Sequence, residues 1–111
     1  MTELKITDEI EGTGPEATKG ALITCHYTGT LEDGTKFDSS HDRGRPFQVV
    51  IGTGKVIKGW DQGILGMKAG GKRTLHVPAH LAYGERQVGN LIKPNSNLIF
   101  LIEMLEVRPR E

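Results

Sequence analysis

Four consecutive residues, Ser39-Ser40-His41-Asp42, hold the letters of an acyl-transfer triad. Nucleophile, base and orienting carboxylate must line up in one hydrogen-bonded series, and neighbours along a chain cannot do this, so a polar loop is expected here. Gly66-Met67-Lys68-Ala69-Gly70-Gly71-Lys72-Arg73 approaches a phosphate-binding loop. Arg73 stands where Ser or Thr would hold the metal, and the helix-like segment precedes the run instead of following it. Gly52-Thr53-Gly54 lacks the third glycine of a dinucleotide fingerprint, because Ile57 occupies that position. His76 and His80 are four apart, but Pro78 lies between them in a strand-like segment and no Glu stands at 77, so no zinc-protease motif forms. His26 and His76 fall on outer strand faces, where solvated histidines are expected ahead of a metal pair. Cys25, on an apolar face, reads as a small buried hydrophobe rather than a nucleophile. No metal, nucleotide, cofactor or covalent site survives.

The residues left with chemical interest are apolar. Tyr27, Phe37, Phe47, Trp60, Tyr83 and Phe100 are the whole aromatic complement of 111 residues. A site built from them would work by apolar burial and desolvation, with a few hydrogen-bonding groups for orientation.

Strands must position most of these rings. Ile23, Cys25, Tyr27 and Leu31 alternate with Thr24, His26, Thr28 and Thr30, the period of a half-buried strand. Asp33-Gly34 is a hairpin signal, after which Lys36 to Ser40 pairs back and returns Phe37 to the side of Tyr27. Phe47, Val49 and Ile51 repeat the period, as do Arg73, Leu75 and Val77 before Pro78 ends that strand. Leu98 to Val107 reads as a long strand near the sheet centre, and residues 3–10 as a peripheral one. One stripe is helical: Ile57, Trp60, Ile64 and Met67, with Gly59, Gly63 and Gly66 beside it. Each interior glycine costs a helix about 1 kcal/mol against Ala, so that backbone is expected to lie close against something. The fold class is therefore α+β: a curved antiparallel sheet of about five strands wrapped around one short α-helix. Two long loops remain, Ser39 to Pro46 with its charges and Ala82 to Asn97 with Tyr83, Val88, Leu91 and Ile92. Loops of this length in a small chain are often functional, and apolar residues in the second suggest a lip over a pocket.

Composition narrows the class further. Fourteen basic residues balance fourteen acidic ones, giving no net charge and a pI of about 6.9, which argues against a nucleic-acid partner. The single cysteine precludes an internal disulfide. No apolar run approaches the length of a membrane span and the first residues carry no apolar leader, so a soluble cytoplasmic monomer, one domain over 1–111, is the expectation.

Five separated segments then agree in order and spacing: His26-Tyr27-Thr28-Gly29, Lys36-Phe37-Asp38-Ser39-Ser40, Val56-Ile57-Lys58-Gly59-Trp60, Ala82-Tyr83-Gly84 and Leu98-Ile99-Phe100. Together they closely resemble the FKBP-type peptidyl-prolyl cis-trans isomerases over almost the whole chain, without the flap insertion of some members. The resemblance implies a pocket between sheet and helix, with Trp60 as floor and Tyr27, Phe37, Phe47 and Phe100 as walls. It implies that Val56 and Ile57 line one side, with the Ile57 N–H binding a ligand carbonyl. Tyr83 would offer its hydroxyl, Leu91 and Ile92 would form the lip, and Asp38 would sit at the rim, hydrogen-bonded or ion-paired with Arg43. Tyr27, Phe37, Asp38, Tyr83 and Phe100 are the candidates for catalysis; Arg43, Phe47, Val56, Ile57, Trp60, Leu91 and Ile92 are the candidates for substrate binding. The implied partners are proline-containing peptides, unfolded protein segments and macrolide ligands. Val88, Gly89-Asn90 and Lys93 depart from the residues common in the family's pocket loop, which bears on substrate preference and macrolide affinity. A proline-binding module without turnover is the competing expectation, and catalysis on a short peptide separates the two.

Overall fold

A computed structural model describes residues 2–110. Strands β1 (Lys5–Ile10), β2 (Leu22–Leu31), β3 (Lys36–Ser39), β4 (Phe47–Val50), β5 (Lys72–Val77) and β6 (Leu98–Arg108) form one antiparallel sheet, and a single helix, α1 (Lys58–Gly63), packs against it. The sheet order is β1-β5-β6-β2-β3, and β4 also pairs with β2. Six strands thus occupy five positions. One edge of β2 carries β4 opposite Leu22–Cys25 and β3 opposite Thr28–Thr30, while its other edge runs the full length of β6. The charged loop between Ser39 and Pro46 interrupts what would otherwise be one edge strand.

Alternation decides which side chains face inward. Along β2 the buried residues are Ile23, Cys25, Tyr27 and Gly29, and along β6 they are Leu98, Phe100, Ile102, Met104 and, past a shift in register, Val107. Asp33-Gly34 forms the expected turn, with the Leu31 N–H donating to the Thr35 carbonyl at 2.9 Å and Asp33 Oδ1 accepting from the Thr35 N–H at 2.9 Å. Pro78 follows the last residue of β5 and opens a short 3-10 turn, Ala79–Leu81.

The helix is shorter than the apolar stripe suggests. It ends at Gly63, and Met67 lies beyond it. At Gly66 the chain takes a positive φ of 88°, accessible to glycine at little cost, which turns the backbone out of the helix. The Gly66 N–H then donates to Ala17 O and the Ala17 N–H to Met67 O, both at 2.8 Å. Pairing with this N-terminal segment replaces the next helical turn, so Met67 is buried by tertiary contact instead of helical periodicity. Gly59 explains itself by close approach: a Cβ there would lie 2.4 Å from Val77 Cγ1.

Arg73 occupies an inward position of β5 and is only 8% exposed. Its guanidinium donates to Gly63 O at 2.9 Å and Leu65 O at 3.0 Å, and it pairs with the Asp8 carboxylate, Nε to Oδ1 at 2.6 Å. A buried charge demands such partners. One side chain thereby satisfies carbonyls at and just beyond the helix C-terminus and ties β1, β5 and α1 together. This anchoring holds the helix that presents Trp60.

Candidate functional site

All six aromatic residues line one open cavity of about 710 Å³ between α1 and the β2–β6 region of the sheet. That volume lies within the ordinary range for small-ligand sites. Trp60 is 4% exposed, Phe100 3% and Tyr27 7%, whereas Phe37, Phe47 and Tyr83 are half-buried. The rings meet edge to face: Tyr27–Trp60 at 4.9 Å and 81°, Trp60–Phe100 at 5.3 Å and 88°, Phe37–Phe100 at 5.6 Å and 86°, and Phe47–Trp60 at 5.8 Å and 78°. Such pairs are favourable for ring quadrupoles and hold each ring upright. Gly29 makes the arrangement sterically feasible, since a Cβ there would lie 2.6 Å from Phe37 Cζ and 3.0 Å from Phe100 Cε1.

Val56 and Ile57 line the cavity from the segment between β4 and α1. Asp61 fixes this segment from inside the helix, accepting the Gly52 N–H on Oδ1 and the Gly54 N–H on Oδ2, both at 2.8 Å. The Ile57 carbonyl accepts the Trp60 and Asp61 N–H groups, but the Ile57 N–H has no acceptor among the described residues. The Tyr83 hydroxyl likewise has no hydrogen-bond partner among them. An unpaired donor beside an apolar cavity is what a ligand carbonyl requires.

At one wall stands a polar triad. The Tyr27 hydroxyl donates to Asp38 Oδ2 at 2.6 Å and accepts from Arg43 Nη2 at 2.7 Å, and Arg43 Nη1 pairs with Asp38 Oδ1. Arg43 also lies over the Tyr27 ring, 5.4 Å from its centroid. Burial, and then the hydrogen bond donated to Asp38, push the Tyr27 phenol above its ordinary value, with Arg43 opposing. Tyr27 therefore stays protonated throughout the neutral range and donates to Asp38 there.

Of the twelve residues singled out from sequence, nine line the main cavity: Tyr27, Phe37, Asp38, Phe47, Val56, Ile57, Trp60, Tyr83 and Phe100. Arg43 sits behind the wall, bonded to Tyr27 and Asp38. Leu91 and Ile92 line an adjoining hollow of about 250 Å³ that shares Phe37, Asp38 and Tyr83 with the cavity. Leu91 is 44% exposed there, whereas Ile92 is 5% exposed and anchors the loop through paired backbone hydrogen bonds with Val88. Sequence reasoning passed over Lys55, Lys58, Asp61, His80 and Arg86, which also line the cavity. The available signal was position, because Lys55 and Lys58 bracket Val56-Ile57.

The triad-like letters serve structure. Ser40 is buried, accepting the Tyr27 N–H on Oγ at 2.7 Å and contacting His26 Nδ1 at 2.8 Å, while Asp42 pairs with Lys36 at 2.7 Å. His26 does not meet His76. Across β6 the register aligns it with Glu103 and then Lys72, and its ring stacks on His41 at 4.1 Å, with His41 Nε2 pairing to Glu103 at 2.6 Å. No group of three residues able to hold a metal ion occurs among the described residues.

Comparison with known proteins agrees with this geometry. The family model for FKBP-type peptidyl-prolyl cis-trans isomerase matches residues 14–105. An FK506-binding protein of Neisseria meningitidis is 55% identical over 107 residues, covering 96% of this chain and 98% of that protein. A chloroplastic peptidyl-prolyl cis-trans isomerase of Arabidopsis thaliana is 53% identical over 113 residues, covering 92% of this chain and 54% of that one. The crystal structure of AtFKBP13 superposes with a TM-score of 0.87 at 51% identity, covering 93% of this chain and 91% of that one. With its short helix, six-stranded sheet and ring-lined cavity, this chain belongs to the FKBP-type peptidyl-prolyl cis-trans isomerases, enzymes that interconvert the cis and trans forms of X-Pro bonds.

Proposed function

We propose that the chain isomerises X-Pro bonds of peptides and unfolded protein segments by desolvating and twisting the imide inside the aromatic cavity, without a covalent intermediate. The convergence of all six aromatics on one cavity, beside an unpaired Ile57 N–H, carries this reading. The X-Pro bond favours trans by only about 0.5–1 kcal/mol, yet crosses its amide-resonance barrier of about 18–20 kcal/mol over tens to hundreds of seconds. Twisting breaks the resonance and makes the carbonyl less dipolar. Water solvates the planar amide better than the twisted one, and a dry cavity removes that preference. The Trp60 floor buries the proline ring, and the Ile57 N–H and Tyr83 hydroxyl hold the flanking carbonyls of the twisted conformer. Asp38 and Arg43 position Tyr27 and shape the field at the rim, with no proton transferred.

The required acceleration is modest. A barrier of about 20 kcal/mol corresponds to roughly 0.01 per second, and reaching about 100 per second takes about 5.5 kcal/mol. Desolvation and one or two preorganised hydrogen bonds are of that order. The cavity together with the adjoining hollow accepts a macrolide, with Val88 and Gly89-Asn90 of the hollow setting its affinity, and the protein works as a cytoplasmic monomer. The test is cis–trans exchange of a blocked Leu-Pro peptide followed by NMR. Wild type should accelerate exchange, Phe37→Ala should reduce the acceleration by about tenfold or more, and a bound macrolide should abolish it. Peptide binding without acceleration would leave a proline-binding module instead.

A further inference from the structure

The chain as a whole is neutral, but the mouth of its cavity is not. Lys55, Lys58 and Arg86 line the cavity, are exposed, and make no ion pair among the described residues. The carboxylates there are engaged in other ways. Asp38 is neutralised by Arg43, and Asp61 is spent on the Gly52 and Gly54 amides. Three free cations thus face one uncompensated carboxylate. They come from two separate segments of the rim. Lys55 and Lys58 flank Val56-Ile57, whose free amide is the proposed grip on the substrate backbone. Arg86 belongs to the other segment, its backbone N–H tied to the Tyr83 carbonyl at 3.1 Å. The Asp61 bonds to the Gly52 and Gly54 amides and the Arg86–Tyr83 bond hold the backbone of the two segments, so the solvated charges stay tethered around the rim above the aromatic floor.

We propose that this mouth makes the enzyme selective for prolines with carboxylate side chains within about two residues of the X-Pro bond. The proposal rests on the cavity being the substrate site, and it names the substrate class of that site. An extended peptide seated over Trp60 with a carbonyl on the Ile57 amide would carry its neighbouring side chains out over Lys55, Lys58 and Arg86. A substrate carboxylate there meets a net positive potential, which raises the encounter rate and the affinity of the productive complex. At a separation of about 7 Å in water, the Coulomb attraction to the surplus of cations corresponds to about a fivefold preference over a neutral side chain at low salt. A lysine at the same peptide position suffers the opposite effect. Because the Debye length is about 8 Å at physiological ionic strength, the preference falls to about twofold there.

The experiment measures kcat/KM for three blocked peptides, Glu-Leu-Pro-Phe, Gln-Leu-Pro-Phe and Lys-Leu-Pro-Phe, and for the matching set with the charge two residues after proline, at about 20 and 150 mM salt. In at least one set, the acidic-to-basic ratio should reach about 10 or more at low salt and shrink as salt rises. In the K55Q/K58Q/R86Q variant, whose folding is checked by thermal unfolding, the ratio should fall to one or below because the Asp61 carboxylate remains, and Lys58→Glu should lower it further than Lys58→Gln. Equal rates on all peptides by an active wild type would overturn the charge selection and leave the isomerase reading intact. A ratio that survives the triple substitution would overturn its assignment to these three residues. Failure to accelerate even the glutamine peptides would overturn both readings at once.

Discussion

Along the β2–β6 pair the inward face changes character halfway. Toward one end lie Ile23, Cys25, Met104 and Val107, all buried and joined by Ile51 and Ile64, with Ile102 at the boundary opposite Tyr27. Toward the other, Tyr27, Gly29 and Phe100 share the face with Phe37, Trp60 and Tyr83, and buried Leu98 closes the far end. Both halves rest on the same strands and the same register. Branched and flexible aliphatic chains interdigitate until no space remains. Rigid rings standing edge to face satisfy one another along their edges and keep a concavity between them. The difference teaches that one continuous sheet is divided by side-chain shape alone into a half that holds the fold and a half that holds a ligand.

The strongest challenge to this division is a pair of truncations. Ile23→Ala should cost about 3 kcal/mol of stability in denaturant unfolding, as expected for a fully buried aliphatic side chain, while leaving the catalysis of the folded fraction largely intact. Phe47→Ala, half-buried at the cavity wall, should destabilise by less than half that amount but lower kcat/KM about tenfold. Equal stability losses, or an active Phe47→Ala enzyme, would break the comparison.

Gly59→Ala probes the seam between the halves, since Gly59 precedes Trp60 and packs on Val77. The clash with Val77 outweighs the helix-propensity gain, so a net loss of about 1–2 kcal/mol is expected. Val77→Ala added to it should cost less than the sum of the two separate changes. Simple additivity would show that the helix shifts freely over the sheet.

The smallest effect at neutral pH concerns Cys25. Burial pushes its thiol up to about 12, so the folded state disfavours the thiolate. Below the ordinary thiol value of about 8.5 this leaves stability unchanged, and between there and about 12 stability falls as pH rises. A thiol reagent at neutral pH should therefore react only as fast as the protein unfolds. Rapid labelling of the native protein would mean that the aliphatic half opens locally.

Much of this was legible along the chain. Period-two alternation located the strands that carry Tyr27, Phe47 and Leu75, because side-chain direction in a strand follows directly from backbone geometry, while a near-continuous apolar run located the strand of Phe100 and Asp33-Gly34 marked the turn. The aromatic set, taken with the five family segments, pointed to the cavity. The helix end was not legible: Gly66 and pairing with Ala17 stopped it before Met67, and no local period reports a partner almost fifty residues away. Arg73 looked like one more alternating strand residue. Its burial depends on Asp8, 65 positions distant, and on the carbonyls of Gly63 and Leu65.

Local periodicity alone settled most of the inward-facing strand residues and the start of the one helical stripe, whereas the gathering of the aromatic rings in one constellation was legible only through the resemblance to the family. Only the tertiary structure decided that the rings would frame an open cavity, that the Ile57 amide would be left without an acceptor, and that the cations of a neutral chain would gather unpaired at the rim. Packing, hydrogen bonding and charge compensation depend on which distant segments meet, and that is settled only when the sheet closes over the helix.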